Sequence, residues 1–121
     1  MADATTTVVE LQSRIKQFRD ERDWEQFHDP KNLAEGLIIE AGELLEHFLW
    51  RTKEQVAESL HDASYKEEVA DELADVLNFV LLLSVALDVD LSDATERKIA
   101  KTSQKYPIEK SKGSATKYTK L

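Results

Sequence analysis

Apolar residues recur three and four positions apart over most of the chain, which is the spacing of an amphipathic α-helix. No stretch shows the strict alternation of apolar and polar residues that is typical of a half-buried strand. The chain contains only 3 glycines and 2 prolines, so few positions interrupt a helix. The pattern therefore predicts an all-α fold.

Each predicted helix begins at a polar residue whose side chain can accept hydrogen bonds from unpaired N–H groups of the first turn. These starts are Thr7 with Glu10, Asp29 with Pro30, Thr52 with Gln55, Ser64 with Glu67, and Asp90 or Ser92. The first four helices are predicted to end near Asp23, Trp50, Leu60 and Leu87. Pro107 ends the last helix, because proline lacks an N–H donor and clashes with the preceding turn.

These boundaries predict a bundle of four main helices plus a short one, in one domain of residues 7–107. Residues 1–6 are expected to form a flexible N-terminal tail. Residues 108–121 are mostly small, polar and basic, and we expect them to form a C-terminal tail that is flexible unless it docks. A chain of 121 residues is long enough for one core, but only for a small one.

The helix predicted from residue 30 carries ionisable residues at the edge of its apolar face. At about 100° per residue, one arc of the helix is apolar. That arc contains Leu33, Leu37, Ala41, Leu44, Leu45, Phe48 and Leu49. Glu40, Glu43, His47 and Trp50 line the strip beside this arc, whereas Glu46 falls further round and is expected to be solvated.

The long helix predicted over residues 64–87 repeats this arrangement. Its apolar arc contains Val69, Leu73, Val76, Leu77, Val80, Leu81 and Leu83. Glu68, Glu72, Asp75 and Phe79 line the neighbouring strip. Both helices therefore place two carboxylates three residues apart, flush with the edge of the core.

If the two helices pack antiparallel, Glu40, Glu43, Glu72 and Asp75 can converge. Four carboxylates at one place repel each other unless a cation joins them. Oxygen ligands suit Mg²⁺, with Mn²⁺ as a possible substitute, and the absence of cysteine excludes a thiolate site. The alternative is a pair of ordinary amphipathic helices with solvated acidic flanks.

The net charge of −8 disfavours a general nucleic-acid-binding protein, because the phosphate backbone attracts Lys and Arg. Residues 97–121 nevertheless hold eight basic residues and one acidic residue, so this end of the chain can attract phosphates. No apolar run approaches the roughly 20 residues of a membrane span. The first ten residues lack the features of a signal peptide. We therefore expect a cytoplasmic protein that does not bind membranes.

At the carboxylate pairs the sequence resembles the all-α nucleoside triphosphate pyrophosphatases, the MazG-like superfamily. The signature of this superfamily is EExxE on one helix and ExxD on a later one. The matching segments in this sequence are EAGE at 40–43 and ELAD at 72–75. Ile39 stands where the first glutamate of the doubled pair is expected. RDWEQFHDPKNL at 22–33, Trp50, and KYT at 117–119 resemble the dCTP pyrophosphatase branch.

The resemblance implies Mg²⁺-dependent hydrolysis of dCTP, or of a related or modified deoxynucleotide, to the monophosphate and pyrophosphate, for cleansing of the nucleotide pool. It also implies that Glu40, Glu43, Glu72 and Asp75 are the metal ligands and catalytic residues. The implied nucleotide-binding residues are Trp24, Glu25, Gln26, Phe27, His28, Trp50, Phe79, Lys98 and Lys105. Besides Ile39, three further positions depart from the pattern: Phe79 replaces a tyrosine, Ile15 an imidazole and Thr102 an asparagine.

Two other functions remain open at the level of sequence. A di-iron carboxylate bundle would need Glu-x-x-His on two helices, and neither Glu40 nor Glu43 has a histidine three residues later. A non-catalytic interaction module could use the acidic strips as an interface. A thermal melt with and without divalent ions separates these cases, since a metal site is stabilised by its ion.

The long helix also predicts self-association. Leu82 and Val85 lie outside its apolar arc, so the helix is apolar on nearly all sides and should be buried on nearly all sides. One layer of partner helices from the same chain cannot provide this cover. We therefore expect a homotetramer built as a dimer of dimers, which is also what the resemblance implies.

Overall fold

The computed structural model describes residues 1–121 and contains six α-helices and no β-strand, which confirms the predicted all-α class. The helices are α1 (Val8–Glu21), α2 (Pro30–Glu46), α3 (Lys53–Ser59), α4 (Ala63–Ala86), α5 (Leu91–Lys105) and α6 (Ile108–Ser111). The one-turn α6 is an addition to the predicted four main helices and short one. No helix combines the length and the apolar character that a membrane span requires.

Most of the predicted helix starts are confirmed by their capping hydrogen bonds. Thr7 and Thr52 each form a reciprocal capping box, and the carboxylates of Asp29 and Asp90 accept from backbone N–H groups three residues on. The prediction that Ser64 caps α4 is wrong. Asp62 is the cap, and its carboxylate accepts from both the backbone N–H and the hydroxyl of Ser64.

Helix α2 ends at Glu46 and not near Trp50 as predicted. Residues 47–50 form a turn, and Trp50 has a left-handed φ of 61°. The Tyr65 hydroxyl donates a hydrogen bond of 2.6 Å to the carbonyl of His47 at this turn. The apolar pattern continues through Phe48 and Leu49, so periodicity alone could not show where the helix stops.

The unit Met1–Asp88 is organised around the packing of α2 against α4, with α1 also packed on α4. Gly36 of α2 lies against Phe79 of α4, and His47 lies near Glu72. Because residue numbers rise along α2 as they fall along α4, the two helices are antiparallel. This is the arrangement in which the two carboxylate pairs can meet.

Only three apolar residues are buried in this chain: Leu33, Leu81 and Leu82. Leu82 was expected to lie outside the core, but it is 6% exposed and lines the α1 side of α4. The helical wheel missed this contact because it considered one packing face, whereas α4 is covered by α2 and α1 together. The long helix is therefore covered on a second side, beyond the part of its predicted apolar arc that contains buried Leu81.

The expected core face of α2 and α4 is instead partly exposed. Leu45 of α2 is 62% exposed, and Leu73 and Leu77 of α4 are 57% and 45% exposed. Ile38 of α2, which the predicted arc did not include, is 71% exposed. The antiparallel register brings Ile38 to the level of Leu77, and Leu45 to the level of Leu73. These four residues are called the α2–α4 apolar face.

The unit Val89–Leu121 contains α5, α6 and the end of the chain. Tyr106 and Tyr118 pack edge to face with ring centroids 5.8 Å apart, and Lys105 Nζ lies 4.8 Å from the Tyr118 ring centroid. A 3₁₀ turn at Tyr118–Lys120 therefore lies against the end of α5. The predicted domain boundaries at residues 7 and 107 stay a prediction.

Candidate active site

Three glutamates meet where α2 crosses α4. One carboxylate oxygen from each of Glu40, Glu43 and Glu72 lies within 4.8 Å of the others. We call these three residues the carboxylate cluster. Glu40 and Glu43 are three residues apart on α2, so they share one face of that helix. The convergence expected for an antiparallel pair is therefore present for three of the four carboxylates.

Asp75, the fourth predicted carboxylate, lies one turn after Glu72 on α4. Its oxygens fall outside the group of three, but its charge contributes to the raised pKa of both Glu40 and Glu72. Asp75 also lines the cavity described below. It therefore connects the carboxylate cluster to that cavity.

Two residues of the cluster, Glu40 and Glu72, have a raised pKa. Burial, hydrogen bonding with Glu43 and the negative charges of Glu43, Asp75 and Glu72 raise the pKa of Glu40 from 4.5 to about 7. Burial and the charge of Glu43 raise the pKa of Glu72 as well, opposed by His47, whose Nε2 lies 3.9 Å from a Glu72 oxygen. Like charges held this close need either a proton or a cation between them.

A divalent cation fits this cluster. The Oε2 atoms of Glu40 and Glu72 are buried and have no hydrogen-bond partner, an arrangement that a neighbouring positive charge would satisfy. All the donor atoms are carboxylate oxygens, which is the ligand chemistry of Mg²⁺ and Mn²⁺. These observations support a divalent-metal site at the cluster, and the choice of Mg²⁺ stays a prediction.

A cavity of about 600 Å³ lies between α1 and α4, beside Asp75. Its walls are mainly apolar and aromatic, with a few polar groups. It is lined by Leu11, Arg14, Ile15, Phe18, Arg19, Trp24, His28, Asp75, Asn78, Phe79 and Leu82. We call it the aromatic cavity. Such a space, apolar with a few polar groups and next to a set of carboxylates, is typical of a small-molecule site.

The loop between α1 and α2 closes one end of the aromatic cavity, and Arg19 anchors that loop. Arg19 is 7% exposed, and its guanidinium pairs with Asp20 at 2.8 Å and Glu25 at 3.7 Å. The backbone carbonyl of Arg19 accepts from the N–H of Trp24. The Trp24 ring then packs edge to face on Phe18 at 5.7 Å. These contacts fix the indole at the cavity wall.

His28 contributes a free hydrogen-bonding atom to the same wall. Its Nδ1 is buried and has no partner. Burial, and secondarily the charge of Arg19, lower the pKa of His28 below its ordinary value of 6.5. The imidazole is therefore neutral at physiological pH, able to donate from one nitrogen and accept at the other.

The other predicted site residues lie elsewhere. Gln26 donates to the backbone and side chain of Asp23, and Phe27 is 59% exposed. Trp50 is 92% exposed. In the unit Val89–Leu121, Lys98 lines a groove of about 530 Å³ on α5, and Lys105 lies over Tyr118.

The sequence prediction did not include several residues that line the aromatic cavity. Leu11, Phe18 and Leu82 are apolar contacts, while Arg14, Arg19 and Asn78 add polar groups. The helical spacing of Leu11, Ile15 and Phe18 on α1 was a usable signal, since it defines one face of that helix. Asn78 gave none, because a single amide on α4 is ordinary.

The sequence of this chain matches the MazG-like family over residues 37–121, more than half of its length. The chain belongs to the MazG-like family. The resemblance inferred from the EAGE and ELAD segments is therefore confirmed.

Similarity to individual proteins extends over nearly the whole chain. dCTP pyrophosphatase 1 of Mus musculus is 37% identical over 115 residues, which cover 95% of this chain and 68% of the mouse protein. The Homo sapiens protein of the same name is 35% identical over 115 residues, which again cover 95% of this chain and 68% of the relative. A crystal structure of a pyrophosphatase from Archaeoglobus fulgidus is 41% identical, with a TM-score of 0.76 over 81% of this chain and 90% of that one. The predicted enzyme class, a nucleoside triphosphate pyrophosphatase, is confirmed by these relatives.

Proposed function

We propose that this protein is a Mg²⁺-dependent pyrophosphohydrolase that converts dCTP, or a related or modified deoxynucleoside triphosphate, to the monophosphate and pyrophosphate. The observation that carries the proposal is the junction at Asp75 between the carboxylate cluster and the aromatic cavity. A nucleoside triphosphate has the matching shape, with a flat base at one end and an anionic chain at the other. The mouse and human relatives named dCTP pyrophosphatase 1 support the choice of base.

Glu40, Glu43, Glu72 and Asp75 are the residues that would hold the cation. When bound, a divalent ion neutralises phosphate charge and lowers the pKa of a water molecule. Attack of water on a phosphorus at the α–β bridge releases pyrophosphate and leaves the nucleoside monophosphate. The carboxylates of the cluster would repel a triphosphate unless a cation lay between them, so activity should require the added ion.

The aromatic cavity would hold the base. Trp24 and Phe79 present ring faces or edges on which a pyrimidine can pack, and each such stacking contact contributes about 1–3 kcal/mol. Neutral His28 and Asn78 can each both donate and accept a hydrogen bond. These two side chains can therefore read the polar edge of a base, which stacking alone discriminates poorly.

A screen of triphosphates tests this function. Common and modified ribonucleoside and deoxyribonucleoside triphosphates are incubated with the protein, with Mg²⁺ or with EDTA, and pyrophosphate and monophosphate are measured together. We expect equimolar pyrophosphate and monophosphate from dCTP, and none with EDTA. Release of orthophosphate in place of pyrophosphate, or no hydrolysis of any triphosphate, would overturn the proposal.

The assembled enzyme is proposed to be a homotetramer made of two dimers, in the cytoplasm. The support is the α2–α4 apolar face, since a single chain leaves four large aliphatic side chains of two adjacent helices in water. A second copy packed on this face would bury them in a symmetric interface. Exposed Trp50 and the basic residues of α5 are proposed to complete nucleotide sites near subunit boundaries.

A further inference from the structure

Gly36 lies in the interior of α2, where glycine is unfavourable relative to alanine. The packing explains this glycine, because the ring of Phe79 on α4 lies against the backbone of α2 at position 36. We propose that Gly36 is a positioning residue that sets the depth of the aromatic cavity by holding the Phe79 ring back against α2. This inference rests on the proposed function and deepens it.

The geometry leaves no room for a side chain at position 36. A Cβ there would lie 2.6 Å from Phe79 Cζ and 3.0 Å from Cδ1, with Cε1 closer still. Carbon atoms in favourable contact are about 3.5–4.0 Å apart. The Phe79 ring therefore occupies the space directly above the α2 backbone that any other residue at position 36 would fill.

The position of the ring matters because Phe79 also lines the aromatic cavity, together with Ile15 and Trp24. A methyl group at position 36 would push the ring away from α2. The space open to it on the other side is the cavity. The cavity would become shallower, and a bound base would lose room before any carboxylate moved.

The expected consequence is a change in binding and in base selection with little change in chemistry. Glu40 lies one turn beyond Gly36, and its side chain need not move when the Phe79 ring does. A shallower cavity penalises a large base more than a small one. Among the triphosphates that the wild-type enzyme accepts, the one with the bulkiest base should lose most.

The test is a double-mutant cycle on steady-state kinetics. Gly36→Ala is expected to raise KM for the best substrate about fivefold to tenfold, if the strain of overpacking is relieved by moving the ring into the space of the bound base, with kcat within about twofold. In a Phe79→Leu background the same change should alter KM by less than about twofold. Leucine ends at Cδ and lacks the two ring atoms that lie nearest to position 36.

Gly42→Ala is the matched control. Gly42 lies on the same helix, and a Cβ there would meet no heavy atom within 4 Å. This variant gains the same methyl group and the same helix propensity without touching Phe79. Its KM should equal that of the wild type, so any general effect of removing a glycine from α2 would appear in both variants.

The outcomes separate the two proposals. A wild-type protein that hydrolyses no triphosphate would sink the proposed function, and this inference with it. An active wild type whose KM is unchanged by Gly36→Ala, or changed equally in the Phe79→Leu background, would overturn the positioning role alone. If Gly36→Ala is too unstable to assay, the double variant must regain stability and match the KM of Phe79→Leu, and failure of either would also overturn it.

Discussion

The carboxylate cluster and the aromatic cavity are adjacent but are built in different ways. The cluster comes from two helices, each carrying its carboxylates at helical spacing, so that one packing contact assembles it. The cavity needs α1, the loop that carries Trp24 and His28, and α4. The candidate metal site is therefore encoded in a local sequence pattern, whereas the proposed base site depends on how distant segments pack.

The largest expected effect is at the carboxylate cluster. Glu43→Gln keeps the shape of the side chain but removes the charge needed to hold a divalent ion. We expect kcat/KM for pyrophosphate release to fall about a thousandfold, since an ion contributes several kcal/mol to transition-state stabilisation. Asp75→Asn should behave similarly, with the helical circular dichroism spectrum unchanged.

Glu46→Gln is the control for this prediction. Glu46 lies on the same helix as Glu43 and is exposed. It also lies outside the carboxylate cluster. Its neutralisation should leave the rate unchanged. A wild-type rate in Glu43→Gln, or an equal loss in Glu46→Gln, would mean that the cluster is not the metal site.

A smaller effect is expected in the aromatic cavity, and it should appear in KM. Trp24→Ala removes a stacking surface, so KM for the triphosphate should rise about tenfold, with Trp24→Phe in between. Trp50→Ala should raise KM as well if a neighbouring subunit brings that exposed indole to the site. If KM is unchanged in Trp24→Ala but raised in Trp50→Ala, the base lies outside the aromatic cavity.

The residues of the carboxylate cluster could be predicted from the sequence, whereas much of the aromatic cavity could not. The period of α2 and α4 was sufficient to place Glu40, Glu43, Glu72 and Asp75 on matching strips, because side-chain direction along a helix is a local property. The contact between Gly36 and Phe79 is not local, since the two residues are 43 positions apart in the chain and meet only through the register of α2 against α4.

The fold shows the same division. Helix caps such as Thr7 with Glu10 were predictable because both partners lie within one turn. The end of α2 and the burial of Leu82 were not, since the first involves Tyr65 and the second depends on α1. The exposed α2–α4 apolar face follows a correct helical pattern, but a single chain does not provide enough surface to cover it.

A third prediction concerns that face. Replacing Leu45 and Leu77 together by serine should weaken self-association, because about half or more of each side chain is exposed in one chain. Light scattering should show a shift toward smaller species, and KM should rise if sites are completed at subunit boundaries. Replacing Val9, which is 68% exposed on α1, by serine is the control. A monomeric wild type that is fully active at nanomolar concentration would contradict the assembly.

The smallest expected effect is a pH dependence of stability in the metal-free protein. Folding raises the pKa of Glu40 from 4.5 to about 7, and that of Glu72 in the same direction. Between these pH values the folded protein keeps protons that the unfolded chain has released, so the free energy of unfolding falls as pH rises from about 5 to about 7.5. The lowered pKa of His28 acts in the opposite direction near pH 6 but concerns one group against two, so the melting temperature in EDTA should be a few degrees lower at pH 7.5 than at pH 5.5. Adding Mg²⁺ or Mn²⁺ at pH 7.5 should recover this loss, because ion binding stabilises the ionised cluster.

Glu40→Gln should flatten the pH dependence, since an amide does not titrate. A wild-type melting temperature that is equal at both pH values and insensitive to divalent ions would show that the three glutamates do not form a shared site.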